Sequence, residues 1–421
     1  MLVHFARALC VAHLVTIAST GAIAQEPGAP LSLRAAVERT LAENPELKSF
    51  GYRLRAQDAR AAAAALRPPL ELRGDIEDAL GSGDFSGLDA AEATFSIARV
   101  IELGDKREQR VAAAEAGADL IGVERAAAEL DVIAEVTRRF VHVAADEAEL
   151  TLTQRATDLA RETLAATEAR VTAARAPDVE RSRARVAVAR AAIEQEHAVH
   201  ELAAARRKLA AMWGESEATF GRIDAHLFAL PEIEPFAALV AHIEQSPDYL
   251  RFLSASRLRD AEIRLAEARS RSDLSISAGV RRLAATDDNA LVFGISMPLG
   301  RGARAEAGAA EARAQRAETD AERDAHAVRV AAELFAIHQE LQHAITEAET
   351  LRSEVVPEMQ SALAATRAGY EQGRFSYLEW VDAQRELIAV ERALIEAAAN
   401  AHLFVTEIER LTGEPLAPQD R

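Results

Sequence analysis

The sequence predicts a mainly α fold with a small β part: long coiled-coil-like helices forming a helical tube, which carries four short strands of a barrel. Three observations predict it. Alanine-rich stretches with few helix breakers dominate the 421 residues. Two pairs of alternating segments interrupt them, near residues 70–80 and 92–102 and again near 273–283 and 289–299. Matching landmarks recur roughly 200 residues apart, the signature of an internal structural repeat. The chain therefore divides into residues 1–24, a first repeat over 25–230 and a second over 231–421.

Residues 1–24 read as a secretory signal. His4 and Arg7 precede an apolar run from Ala8 to Ile17, and Ala22-Ile23-Ala24 supplies a small-x-small cleavage site before Gln25. Lipidation of Cys10 is disfavoured, because Leu9 stands where a small residue is wanted. Cleavage removes Cys10, the single cysteine, and with it disulfides, zinc–thiolate sites and cysteine nucleophiles. The processed chain carries 48 basic against 67 acidic residues, or −19, since the signal holds one arginine and no acid. That balance argues against nucleic acid as a partner and suits the passage of cations.

Each repeat opens a helix with a polar residue and proline, Asn44-Pro45 and Ser246-Pro247. The paired strands follow. Leu70, Leu72, Gly74 and Ile76 share one face of the first, against Glu71, Arg73, Asp75 and Glu77. Phe95, Ile97, Arg99 and Ile101 share a face of the second. Leu274, Ile276, Ala278 and Val280 do so in the third, and Leu291, Phe293, Ile295 and Met297 in the fourth. Apolar-out, polar-in segments of this length fit strands of a membrane barrel. No stretch after residue 25 holds the ~18 consecutive apolar residues of a spanning helix, so insertion would need a closed barrel. Four strands cannot close one, since about eight is the practical minimum; three copies would supply twelve. Polar turns are expected at Gly81-Ser82-Gly83-Asp84 and Thr286-Asp287-Asp288-Asn289. Gly104 and Gly300 mark the bends from strand to helix.

From Lys106 to about Ala174 there is no proline and only Gly117 and Gly122, which predicts a rod of roughly 100 Å at 1.5 Å per residue. In the last helix Leu387, Val390, Leu394, Ala397, Ala401, Phe404, Ile408 and Leu411 alternate at three and four, a coiled-coil-like seam. Gly413 and Pro415 end it.

The phrase Gly369-Tyr370-Glu371-Gln372-Gly373-Arg374-Phe375-Ser376-Tyr377-Leu378-Glu379-Trp380-Val381-Asp382-Ala383-Gln384 resembles the strongest motif of the TolC-family outer-membrane efflux proteins. These are the exit ducts of tripartite efflux pumps and type I secretion systems. The likeness covers about residues 31–414, and Ile101-Glu102-Leu103-Gly104-Asp105-Lys106-Arg107 resembles the branch serving heavy-metal cation pumps. The resemblance implies a homotrimer in the outer membrane of a Gram-negative bacterium. A twelve-stranded transmembrane β-barrel would contact outer-membrane lipid, and an α-barrel would cross the periplasm. Shorter helices around Ala35–Arg67 and Phe236–Arg269 would complete the tube. Its expected partners are a periplasmic adaptor protein and an inner-membrane efflux pump.

The resemblance also implies site residues. The segment around Gly373 would be the periplasmic tip, with Tyr370, Gly373, Phe375, Ser376, Tyr377 and Leu378 facing the adaptor; local packing of the turn is the competing reading for its aromatics. The first-repeat counterpart is Arg170 through Val179, with Arg175-Ala176-Pro177-Asp178 as the turn; Arg175, Pro177 and Asp178 would face the adaptor there, but the glycine is missing and the loop looks shorter. Glu379 and Asp382, three apart, would share a face and line the pore entrance as stacked acidic rings that favour cations. The alternative is that they satisfy a helix N-terminus. Asp178 and Glu180 open the preceding long helix, where capping is favoured.

No cofactor, metal centre or catalytic constellation is expected. Gly300-Arg301-Gly302 lacks the lysine-Ser/Thr pattern of a phosphate loop. His197 and His200, three apart, are a weak chelating pair best read as exposed helix positions. A soluble periplasmic coiled-coil scaffold or adaptor without a pore would explain the signal, the heptads and the acidity. It would leave the duplicated hairpins unexplained.

Overall fold

The computed structural model describes residues 28 and 30–413; the signal reading, Cys10 and Pro415 lie outside these. β1 (Leu31–Ser32) leads into α1 (Leu33–Glu43) and α2 (Pro45–Ala64). Asn44 separates the helices: its side chain accepts from Glu46 N at 2.9 Å and Leu47 N at 3.1 Å, with Pro45 in the first turn where no N–H is needed. The strands β2 (Leu70–Glu77) and β3 (Glu92–Ile101) follow, then α3 (Lys106–Thr172), 67 residues without a break. α4 (Asp178–Ala210) returns alongside it, and β4 (Ile223–Asp224) pairs with β1 in parallel.

The second repeat retraces this path. α5 (Phe236–His242) and α6 (Pro247–Ala268) match α1 and α2, with Ser246 capping Tyr249 N at 3.3 Å. β5 (Leu274–Leu283) and β6 (Asp288–Ser296) lead into α7 (Gly302–Thr350). Here the repeats differ. A π-helical turn over Leu351–Val355 joins α7 to α8 (Val356–Glu371), whereas α3 is uninterrupted. Pro357 explains it: proline supplies no N–H to the ladder, and a wider turn absorbs the lost bond. α9 (Tyr377–Thr412) closes the chain at Gly413, whose φ of 78° forms a left-handed cap.

The four long strands form one antiparallel sheet in the order β2-β3-β5-β6. Its register aligns the four apolar faces. Leu72 pairs with Ile97, Ile97 with Ala278, and Ala278 with Phe293. Leu72 is 80 % exposed and Phe293 76 %, so the middle of one face of the sheet is an apolar, uncovered band. The edges, β2 and β6, have no further partner strand among the described residues. An open sheet with unpaired edges and a bare apolar face is unstable alone in water; neighbouring subunits and lipid would supply both missing surfaces. The turns differ from expectation. Asp288 and Asn289 belong to β6, and the link from β2 to β3 is a long loop with a 3-10 turn at Gly83–Phe85.

α3 packs against α2, α4, α6 and α9, and α9 lies between α3 and α7. That explains why the buried face of α9 exceeds the predicted single seam. Ile395, Ala398 and Ala399 join one core with Val136, Val143, Leu209 and Trp213, while Ala401, Val405, Ile408 and Leu411 join another with Leu239, Leu334 and Leu341. Val390, Leu394 and Phe404 are only half-buried. A third, smaller cluster of Ala184, Tyr370, Tyr377, Trp380 and Val381 lies at the end away from the sheet.

Candidate functional site at the helical tip

The two helical turns at that end are structural copies. Residues 173–177 join α3 to α4, and residues 372–376 join α8 to α9, so the links are equal in length. The shorter first loop expected from the sequence is therefore not found. Ala174 takes a left-handed φ of 55° where Gly373 has 75°. Ala174 N donates to Val171 O at 2.9 Å and Arg175 N to Arg170 O at 2.8 Å. In the copy Gly373 N donates to Tyr370 O at 2.9 Å and Arg374 N to Gly369 O at 2.8 Å. Superposing these bonds places Pro177 on Ser376, Glu180 on Glu379 and Arg170 on Gly369. An alanine holding a glycine's conformation is what concealed the match, because alanine disfavours that region.

Ser376 and Glu379 form a reciprocal capping box. Glu379 N donates to Ser376 Oγ at 3.3 Å, and Glu379 Oε2 accepts from Ser376 N at 2.7 Å and from its hydroxyl at 2.8 Å. The Ser376 backbone N–H, and then its hydroxyl, hold the exposed Glu379 carboxyl below its ordinary range. Capping fixes this side chain in one place and keeps it charged. Asp382 is exposed one turn on. Both acids line a groove of ≈ 720 Å³ between α4 and α9, with Arg183, Arg190 and Arg385 also in its wall. Pro177 has no capping side chain. There Asp178 pairs with Arg181, and Glu180 accepts from the Tyr370 hydroxyl at 3.1 Å.

The aromatics divide into two groups. Tyr370, Tyr377 and Trp380 are buried, with Tyr370 5.0 Å from Trp380 and 6.4 Å from Tyr377 between ring centroids. Their rings pack the tip from inside, so the expectation that Tyr370 and Tyr377 face a partner is corrected: the turn directs them inward, and burial raises both phenol pKa values. Phe375 and Leu378 stay exposed, at 41 % and 58 %. Phe375 lies against Gly369, where any Cβ would collide with its ring. Arg170 ties the two turns together. It donates to Tyr370 O at 2.6 Å and Glu371 O at 3.1 Å, and its guanidinium sits 4.6 Å from the Tyr370 ring centroid. Its position opposite Gly369 in the repeat was the one signal pointing to it.

At the other end of the rods, Gly104 and Gly300 each adopt a φ of 79° between strand and helix. A side chain on Gly104 would also strike Arg271. Lys106, buried at the head of α3, donates to Asp273 at 2.5 Å. Among the described residues no group of three or more His, Cys, Asp or Glu side chains could hold a metal, and no helix is long and apolar enough to cross a membrane. His197 and His200 lie exposed on α4.

Comparison with known proteins gives a consistent result. The sequence pattern of the family described as outer membrane efflux protein matches residues 36–215 and 241–414. The cobalt-zinc-cadmium resistance protein CzcC of Cupriavidus metallidurans is 28 % identical over 393 residues, covering 92 % of this chain and 91 % of that protein. The nickel-cobalt-cadmium resistance protein NccC of Alcaligenes xylosoxydans xylosoxydans is 24 % identical over 292 residues, 69 % of this chain and 65 % of that protein. Among solved structures, CusC, described as forming a transmembrane channel, superposes with a TM-score of 0.77 at 16 % identity, covering 93 % of this chain and 96 % of that one. This family is one of efflux ducts rather than enzymes, which leaves the soluble scaffold without support. With two matched stretches spanning both repeats, the chain belongs to the outer membrane efflux protein family.

Proposed function

We propose that three copies of this chain form a passive exit duct across the outer membrane and periplasm, delivering metal cations received from an inner-membrane pump through a periplasmic adaptor. The observation that carries the reading is the sheet: four apolar strand faces aligned on one uncovered side, both edges unpaired, mounted on helices of up to 67 residues. Three such sheets, joined β6 to β2, make a closed barrel whose apolar side meets lipid and whose polar side lines a lumen. Arg281, hydrogen-bonded to Glu92 at 2.5 Å and Glu77 at 3.1 Å, faces that lumen.

The acidic pair Glu379 and Asp382 sits at the opposite end, where rings of carboxylates favour cations over anions. The tip surface left for an adaptor comprises Phe375 and Leu378, with Arg175, Pro177 and Asp178 on the other turn. The metal cargo is inferred from the resistance functions in the names of CzcC and NccC and agrees with the chain's acidity. Transport energy must come from the pump.

Planar-bilayer conductance of the purified protein tests this. A cation-selective channel whose selectivity falls in a Glu379→Ala, Asp382→Ala double variant is the expected result. Folded protein that gives no conductance would overturn the duct; unchanged selectivity would reduce the two acids to capping and surface roles.

A further inference from the structure

We propose that the rim of the sheet nearest the helices is a phosphate-binding collar that docks anionic phospholipid headgroups of the membrane's periplasmic leaflet. The proposal rests on the duct reading. Register places Arg99 on the apolar face, opposite Leu70 and Ile276, where it is exposed. At the far end of the same face stands Arg282, opposite Ala93 and Asn289. From Ala93 to Arg99 is about 20 Å along the strand at ~3.3 Å per residue. Two arginines thus bracket the apolar band. None of the four strands contains tryptophan or tyrosine, the usual girdle of a membrane barrel. Arginine can take that place by keeping its stem among acyl chains and its guanidinium at phosphate level.

The rim below Arg99 is built for anions. Arg67 and Arg304 are exposed, and no carboxylate among the described residues comes within ion-pair reach of Arg67, Arg99 or Arg304. In a chain with 67 acids to 49 bases, such cations point to a partner outside the chain. Arg301 and Arg304 line a groove of ≈ 760 Å³ in which six basic side chains, Arg269 among them, outnumber three carboxylates, Glu262, Asp273 and Glu311. α7 begins at this place with no side-chain cap and no acid in its first turn, so its N–H groups and dipole also favour an anion. Gly300 and Gly302 leave open space around that backbone. Ile295, Met297 and Leu299 continue the apolar alternation down to it, and Leu299 is 89 % exposed. Arg301 pairs with Asp273 at 3.7 Å, whereas Arg304 has no carboxylate in reach among the described residues, and a leucine projecting beside them suits the boundary between acyl chains and headgroups.

The test uses purified full-length protein in dodecyl maltoside with added dioleoylphosphatidylglycerol or dioleoylphosphatidylcholine, reading lipid retained per chain by native mass spectrometry. Wild type should retain phosphatidylglycerol in preference. An Arg99→Gln, Arg301→Gln, Arg304→Gln variant should lose retention roughly tenfold or more, since each arginine near a charged lipid surface contributes measurably. Arg73→Gln, which removes one charge on the polar face as Arg304→Gln does at the rim, should retain it. Arg304→Gln alone, at an exposed position, gives a smaller loss in the same direction and serves if the triple variant does not fold. Equal retention by variant and wild type, or equal binding of both lipids, would overturn the collar. Displacement of the lipid by inorganic phosphate would overturn the lipid assignment in favour of a simple anion site. A wild type that neither conducts nor enters phosphatidylcholine vesicles would instead sink the duct reading.

Discussion

Arg170 grips Tyr370 twice, donating to its carbonyl at 2.6 Å and lying over its ring at 4.6 Å. One side chain from the first repeat thus satisfies the C-terminal end of a helix in the second and lids the aromatic cluster beneath it. Arg170 joins the two halves of the tip there, alongside the Tyr370 hydroxyl, which donates to Glu180 at 3.1 Å, and the Arg367–Glu162 ion pair at 3.3 Å. Arg170→Met should loosen the tip by about 1.5–3 kcal/mol, the usual cost of losing hydrogen bonds to a charged donor. Lysine cannot reproduce the planar fork and should rescue less than half. Hydrogen exchange at the amides of Gly373 and Arg374 reads this directly; unchanged protection would show that the aromatic cluster holds the turn alone.

The matching turn makes the opposite kind of prediction. Ala174 occupies the left-handed region at a φ of 55°, where alanine is disfavoured by roughly 1 kcal/mol relative to glycine. Ala174→Gly should therefore stabilise the first turn by about that amount, and Gly373→Ala should destabilise the second similarly. Thermal unfolding of the two variants should move in opposite directions, and shifts of the same sign would remove the equivalence of the turns.

These two turns also show how far the sequence could be read. Leu70, Leu72 and Ile76 announce their shared face because a strand repeats every two residues, and the register aligned all four such faces. Asn44-Pro45 and Ser246-Pro247 announced helix starts through capping chemistry that acts within one turn. Ala174 announced nothing, since its conformation is imposed by the chain on either side of it. The inward direction of Tyr370 and Tyr377 depends on where the partner helix passes, which no local period encodes. The segment around Trp213, Phe220, Ile223 and Leu227, buried against the middle of the rods, has no helical or strand period to betray it. Glu379 was visible both as a cap and as a pore acid, and its geometry makes the first role plain while leaving its exposed oxygen available for the second.

That double role has a pH signature. The folded Glu379 carboxyl titrates below its ordinary value of 4.5, so its capping contribution is fully present above that value. It should be lost as pH falls through the lower folded value. Exchange protection of the Glu379 and Trp380 amides should hold from neutral pH to about pH 5 and drop only in more acid solution. Glu379→Gln, which keeps a hydrogen-bond acceptor but no charge, should abolish the pH dependence. A drop already complete near neutrality would place another group in control of the turn.

The apolar face of the sheet gives the most direct test of how the chain meets its surroundings. Phe293 lies mid-strand on that face, paired with Ala278 and 76 % exposed. Ser296, on the same strand, points to the polar side with Ser275 opposite. If lipid covers the apolar face, arginine at position 293 meets the hydrocarbon centre and costs about 2–4 kcal/mol in the membrane. The same residue at position 296 meets water. Phe293→Arg should therefore lower the yield of membrane-inserted trimer sharply, while Ser296→Arg leaves it near wild type, and helix content by circular dichroism should match in both. The contrast matters because the two changes add the same charge to the same strand. If both variants inserted equally well, the aligned apolar faces would need a protein cover rather than lipid, and the barrel would have to be rebuilt with its apolar side facing inward.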